Sequence, residues 1–135
     1  MNVFLDSDVV ISSFISSSGA AYYLLNSKIE TCNFYISDFS IYEIDTVSKR
    51  LGIPNKLEDL MDRLNVINLD KNVKTSFIRY VYDINDVYIV LGASESSSIF
   101  LLTYNIKDYK EDLIKNELNI IVIKPGNFLQ YLRNR

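Results

Sequence analysis

The run Asn2-Val3-Phe4-Leu5-Asp6-Ser7-Asp8 decides how the chain is read. Three apolar residues bounded by polar ones suit a strand buried on both faces, as in a parallel sheet. The run then stops on carboxylates. In open α/β sheets ligands lie outside the carboxyl ends of the strands, so Asp6 is expected to face a site and not the core.

Helical and extended patterns alternate from there. Residues 8–15 read as a short helix with Asp8 near its N-terminus, where a carboxylate suits the unpaired N–H groups. Ser16-Ser17-Ser18-Gly19 breaks it, and a second helix covers 20–26. Asn33-Phe34-Tyr35-Ile36 is aromatic and β-branched, the pattern of a second strand. Ile41, Ile44, Val47 and Leu51 then recur at helical spacing until Gly52 and Pro54, with Glu43 between the apolar positions. Helices are expected over 56–64 and 71–82, the latter with Val73, Phe77 and Val81 along one face, flanking a short strand at 66–69. Asp86 opens a helix carrying Val87, Val90 and Leu91. A strand over 99–102 leads to Thr103, and a helix over 107–118 carries Tyr109, Leu113 and Ile114. A last strand spans 119–123, followed by a helix capped by Asn127. Strands separated by helices throughout predict an α/β fold, a three-layer α/β/α sandwich with a central parallel sheet. With 135 residues and no linker or repeat, the expectation is a single domain over 1–135.

Composition narrows the chemistry. A 48% hydrophobic, 23% charged chain can build a core. No apolar run has the length of a membrane span, and acids appear within six positions of the start, so a cytoplasmic protein with no membrane contact is expected. One cysteine, Cys32, allows no intramolecular disulfide and no cysteine-based zinc cage. The chain has no histidine, which removes Ser-His and Cys-His triads and histidine metalloprotease motifs. Any catalysis must run on carboxylates, lysine, tyrosine, hydroxyls or a bound metal. The net charge of −3 argues against a protein that coats nucleic acid nonspecifically, but a cluster of metal-binding acids would account for several of those charges.

Four acids fall where such a fold gathers ligands: Asp6 after the first strand, Glu43 in the helix after the second, Asp86 at a helix start, and Asp108 shortly after Thr103. Singly, each has a plain alternative, since Asp8, Asp86 and Asp108 are good helix caps and Glu43 suits a solvated helix face. Together they form a pattern. Leu5-Asp6-Ser7-Asp8-Val9-Val10-Ile11, Ile36-Ser37-Asp38-x-x-x-x-Glu43-Ile44, Asn85-Asp86-x-x-Ile89 and Leu102-Thr103-Tyr104-Asn105-Ile106-Lys107-Asp108-Tyr109, in this order, resemble PIN domains from residue 2 to about residue 124.

The resemblance implies a parallel α/β/α sandwich whose acids bind Mg²⁺ or Mn²⁺ and hydrolyse RNA phosphodiester bonds. It assigns Asp6, Glu43, Asp86 and Asp108 as catalytic metal-site acids, with Thr103 and Asn105 as the polar residues ordering the last motif. Many members place an acid where Asn105 stands, and an asparagine where Asp8 stands. Asp8 therefore either adds charge to the site or caps its helix, and Asp83 is a further candidate to share the role of Asp86. A small PIN domain of this kind is similar to the toxin of a VapC-type toxin–antitoxin pair, which implies a homodimer, an antitoxin partner and an RNA substrate. The run Ala20-Ala21-Tyr22-Tyr23-Leu24-Leu25 is read as core, with a dimer or antitoxin surface as the alternative. Lys49, Arg50, Lys107 and Lys110 are candidates for phosphate contacts.

The chemistry is consistent with the residue types. A divalent cation lowers the pKa of bound water and clamps phosphate oxygens, and hard oxygen ligands suit magnesium or manganese. Two carboxylates about 6 Å apart repel by roughly 3 kcal/mol at an effective dielectric of about 20, so gathered acids call for a cation. Two rival readings fit parts of the pattern. A catalytically idle PIN-like domain would bind RNA or protein only. A phosphoacceptor receiver domain would use Thr103 and Lys124, but no aspartate closes a suitable middle strand.

Overall fold

The computed structural model describes residues 1–135. Its centre is a five-stranded, all-parallel sheet: β1 (Asn2–Leu5), β2 (Asn33–Ser37), β3 (Leu64–Ile67), β4 (Phe100–Leu102) and β5 (Ile121–Ile123), in the order β3-β2-β1-β4-β5. This order differs from the 2-1-3-4-5 arrangement of receiver domains. Six α-helices cover the two faces: α1 (Ser7–Ile15), α2 (Ala20–Asn26), α3 (Asp38–Leu51), α4 (Val87–Glu95), α5 (Glu111–Leu118) and α6 (Pro125–Arg133). No helix is long and apolar enough to cross a membrane.

Alternation along β1 divides the core. Val3 and Leu5 join Val10, Leu24, Leu25, Ile44 and Phe128 on one face, while Phe4 points to the other, among Val87, Val90, Leu101 and Ile114. Side chains two apart share a face of a strand, so a sheet covered on both sides needs consecutive apolar residues where β1 is buried, from Val3 to Leu5. The apolar run beside the first acid is thereby explained. Phe4 lies against α4 at Gly92, where an added Cβ would come within 2.3 Å of its ring.

Sheet order fixes where the carboxyl ends diverge. From β1 the chain winds to β2 and β3 on one side, then returns to β4 and β5 on the other, which makes the β1/β4 boundary the topological switch point. Leu5 pairs with Leu102 across it, and the Asp6 N–H donates to the Leu102 carbonyl at 2.9 Å. Asp6 and Thr103 thus leave adjacent strands side by side.

Several expectations are corrected. Residues 56–64 form a single 3-10 turn (Leu57–Leu60) that buries Leu57 and Leu60, and the next strand starts at Leu64 because Leu64 pairs with Phe34. Residues 71–80 form a run of 3-10 turns, which buries every third residue progressively, through Lys74 and Phe77 to Tyr80, in place of the Val73, Phe77, Val81 stripe. The helix expected over 107–118 is split: Ile106–Asp108 is a 3-10 turn, and an antiparallel bridge from Val81 holds Tyr109 extended before α5 begins. Asp108 therefore caps no α-helix. Asp6, not Asp8, occupies the N-cap position of α1, and α6 starts at Pro125, whose fixed φ suits a first helical position, ahead of Asn127. Within 20–25, Ala21, Leu24 and Leu25 are buried while Tyr22 and Tyr23 are exposed, so one run serves both core and surface.

Candidate functional site

Asp6 is buried at the carboxyl end of β1. Both hydrogen bonds that reach its side chain fall on Oδ2: one from the Thr103 hydroxyl at 2.9 Å, one from the Tyr109 hydroxyl at 2.7 Å. Thr103 is itself fully buried at the end of β4, and its Oγ1 accepts from the Asn105 N–H at 3.0 Å. That contact aims the hydroxyl proton at Asp6.

Asp8, one residue into α1, is held from the same loop. Its Oδ2 accepts from the Tyr104 N–H at 3.0 Å and from Asn105 Nδ2 at 2.9 Å, with Thr103 Oγ1 at 3.4 Å. Its Oδ1 is buried with no hydrogen-bond partner. An unpartnered buried carboxylate oxygen is costly unless it is protonated or meets a cation.

The other acids come from three more elements. Glu43 projects from α3, whose start is fixed by a capping box between Ser37 and Ser40. Asp86 is the N-cap residue of α4 without making a side-chain cap bond, which leaves its carboxylate free for other use. Asp108 lies in the 3-10 turn after Asn105.

Their electrostatics tie them together. Burial raises the Asp6 carboxyl above the usual range, and Glu43 raises it further, against the lowering effect of the Tyr109 and Thr103 hydrogen bonds. Burial and then the Asp6 charge push Asp8 up to about 7. Asp86 also reaches about 7, through burial and the charges of Asp6, Asp108, Asp83 and Glu43. Asp83 is thus a contributor to the field at Asp86, and its own side chain is engaged by the Asn85 N–H at 2.9 Å. Tyr109 is raised by burial and by Asp6, so it stays a neutral donor.

Sequence reasoning named the acids but not Tyr109, which it placed on an apolar helix stripe. Only the bridge to Val81 carries that ring to Asp6, and no local pattern in 107–118 announces it. Of the basic candidates, Lys49 is paired with Asp45 at 2.9 Å and Lys110 lies over the Tyr82 ring at 5.2 Å. Lys107 borders the same surface hollow as Asn105 and Asp108, and Arg50 lines a groove with Glu43.

As donors, these groups fit a hard divalent cation: all are carboxylate oxygens, and Asp8 Oδ1 lacks any other partner. No three of them stand close enough to ligate one ion as arranged. Glu43 and Asp108 are exposed side chains.

Comparison with solved structures bears on the fold. A chain of the Rickettsia felis VapBC2 complex, bound to a DNA fragment from its promoter, matches with a TM-score of 0.61 and 18% identity, over 92% of this chain and 98% of that one. A chain of a Klebsiella pneumoniae toxin–antitoxin complex matches with a TM-score of 0.63 and 17% identity, over 91% and 97%. FitAB bound to an IR36 DNA fragment gives 0.56 and 17%, over 91% and 94%. The chain has a PIN-type fold. At these identities the likeness concerns the PIN architecture, which the resemblance of the four motifs had implied. No family model and no curated protein matches the sequence.

Proposed function

We propose that this PIN-fold chain is a metal-dependent endoribonuclease, the toxin component of a toxin–antitoxin pair. The observation that carries the reading is the electrostatic coupling near the switch point of Asp6 and Asp8, at the start of α1, with acids from other elements, Glu43, Asp86 and Asp108, where burial and mutual repulsion raise Asp6, Asp8 and Asp86. A chain that spreads 17 acids over its surface has no structural reason to concentrate five of them there. Repulsion on this scale is sustained at sites that use it. The toxin–antitoxin part of the reading is supported by the similar structures, which are toxin–antitoxin complexes.

Asp6, Glu43, Asp86 and Asp108, with Asp8, would hold Mg²⁺ or Mn²⁺, which when bound supplies a lowered water pKa and charge stabilisation at the phosphate. The protein's own part is orientation. Thr103 and Tyr109 pin one oxygen of Asp6 and leave Oδ1 for the site, while Asn105 and the Tyr104 N–H do the same for Asp8. With no histidine in the chain, the burial and mutual repulsion that raise Asp8 and Asp86 mark carboxylates that a bound cation would return to the ionised form.

Asn105 is central to the rival reading of an idle RNA- or protein-binding domain. Its amide is bonded to Asp8, so the carboxylate and amide expected at these two positions are both present, exchanged in place. That pairing favours the active reading. Cleavage of a fluorescent single-stranded RNA, titrated with Mg²⁺ and Mn²⁺, tests it. The wild-type chain should cleave only with metal, and Asp6→Asn should lower the rate at least 100-fold. Equal rates for the two proteins, or equal rates in EDTA, would refute it.

A further inference from the structure

We propose that the groove between α3 and α4 is the track that delivers single-stranded RNA to the acidic centre, with Arg50, Lys71 and Lys74 taking phosphates and Tyr42 stacking on a base. The inference rests on the ribonuclease reading and adds where, and by which chemistry, the strand is held.

The groove has a volume of about 440 Å³ and is lined by Tyr42, Glu43 and Arg50 from α3, by Asn85 and Tyr88 from the α4 side, and by Lys74. Phe39 of α3 and Tyr88 of α4 stack across it, centroids 3.9 Å apart and planes 10° from parallel. Each ring carries a cation. Lys71 Nζ lies 4.9 Å from the Phe39 centroid and Lys74 Nζ 5.5 Å from that of Tyr88. The 3-10 winding makes this arrangement: residues three apart lie one above the other, so both ammonium groups descend on the same aromatic pair.

Charge identifies the occupant. The ion pairs of the molecule join Lys28 to Glu30, Lys49 to Asp45 and Arg79 to Glu117, which leaves Arg50, Lys71 and Lys74 without a carboxylate partner. In a chain of net charge −3, the groove lining carries Arg50 and Lys74 against Glu43 alone, and Lys71 stands over the lining ring of Phe39, so the groove is locally cationic. The occupant is therefore an anion, and an extended one. The Tyr42 ring, 74% exposed in the same groove lining, offers a flat face on which an unstacked base can lie and which a duplex, with its bases stacked internally, cannot use. Glu43 belongs to both the groove and the acidic centre, so a strand seated here leads directly to the acids.

The test measures binding apart from cleavage. A 5′-labelled 12-nucleotide single-stranded RNA is titrated with the full chain carrying Asp6→Asn in EDTA, followed by fluorescence anisotropy at several salt concentrations. Adding Arg50→Ala or Lys74→Ala should weaken binding about 10-fold at low salt, and should flatten the slope of log K against log salt by about 0.7 for each cation removed. Tyr42→Ala should weaken binding about 10-fold and leave the slope unchanged. Lys28→Ala, outside the groove, should change neither. Circular dichroism confirms that each variant is folded. Unchanged affinity and slope for the Arg50 and Lys74 variants would overturn the proposal while leaving metal-dependent cleavage by the wild-type chain untouched. Competition by duplex RNA or a polyglutamate peptide as effective as by single-stranded RNA would also overturn it, the latter in favour of an acidic protein partner. Failure of the parent protein to bind RNA would overturn the proposal, while the ribonuclease reading is decided separately by metal-dependent cleavage with the wild-type chain.

Discussion

Asp6 accepts both its hydrogen bonds on one oxygen, and that asymmetry is what turns a buried acid into an oriented one. Thr103 was readable in advance, because it closes a buried strand and opens the last motif. Tyr109 was not: its hydroxyl reaches Asp6 across 103 positions of sequence, and only the Val81 bridge brings it there. Tyr109→Phe removes the donor and keeps the ring. The variant should fold, yet bind Mn²⁺ about 10-fold more weakly by calorimetry, the usual cost of losing a group that orients a ligand. Tyr80→Phe is the control, since the Tyr80 hydroxyl bonds to Glu117 at 3.1 Å, away from the acids. Equal losses in the two variants would mean that Tyr109 acts on general stability. Asp8 gains a definite place at this scale: its Oδ2 accepts from Asn105 Nδ2 and its carboxyl is raised by the neighbouring Asp6 charge, so it is held beside Asp6 by the last motif.

Among the elements, β1, β2, β4 and β5 and most of the helices were legible because their apolar periodicity is strong and their ends carry Ser, Asp, Gly or Pro, whereas β3, with one buried residue ahead of two exposed ones, starts two residues earlier than its pattern suggests. The 3-10 segments were not. Residues 71–80 hold apolar side chains at spacings compatible with several windings, and the choice is made by contacts with Phe39 and Tyr88, which lie elsewhere in the chain. The meeting of β1 and α4 is the most sensitive packing point. Gly92→Ala would by helix propensity gain about 1 kcal/mol. The added Cβ, however, would stand 2.3 Å from the ring of the fully buried Phe4. Overpacking of this kind costs about 1–3 kcal/mol, so steric conflict wins. With a net cost of about 1 kcal/mol, the melting temperature of Gly92→Ala should fall by about 3–5 °C. A rise would show that Phe4 and α4 separate easily.

For the whole molecule, the parallel sheet and its covered faces followed from the alternation of elements, whereas the convergence of the acids depended on sheet order. A different order would have scattered Asp6, Glu43, Asp86 and Asp108. Convergence has a stability consequence. A carboxyl with a folded pKa above its unfolded value of about 3.9 binds its proton more tightly in the folded chain. Asp8 and Asp86, raised to about 7, therefore favour folding below about pH 4, and that contribution is lost as pH rises through about 7. In EDTA the melting temperature should decline between pH 5 and pH 8, less steeply for Asp86→Asn. A wild-type slope no greater than that of Asp86→Asn would mean that the field at Asp86 is weak.

The central claim is that these carboxylates are held together for a divalent cation. Thermal melting of the wild-type chain and Asp6→Asn at pH 7.5, in EDTA and across a Mg²⁺ or Mn²⁺ titration, tests it most directly. The account predicts a saturable rise in the wild-type melting temperature, because an ion that binds only the folded chain stabilises it by mass action, and little or no rise for Asp6→Asn. A wild-type curve that does not respond to either metal, or an equal response from Asp6→Asn, would contradict it.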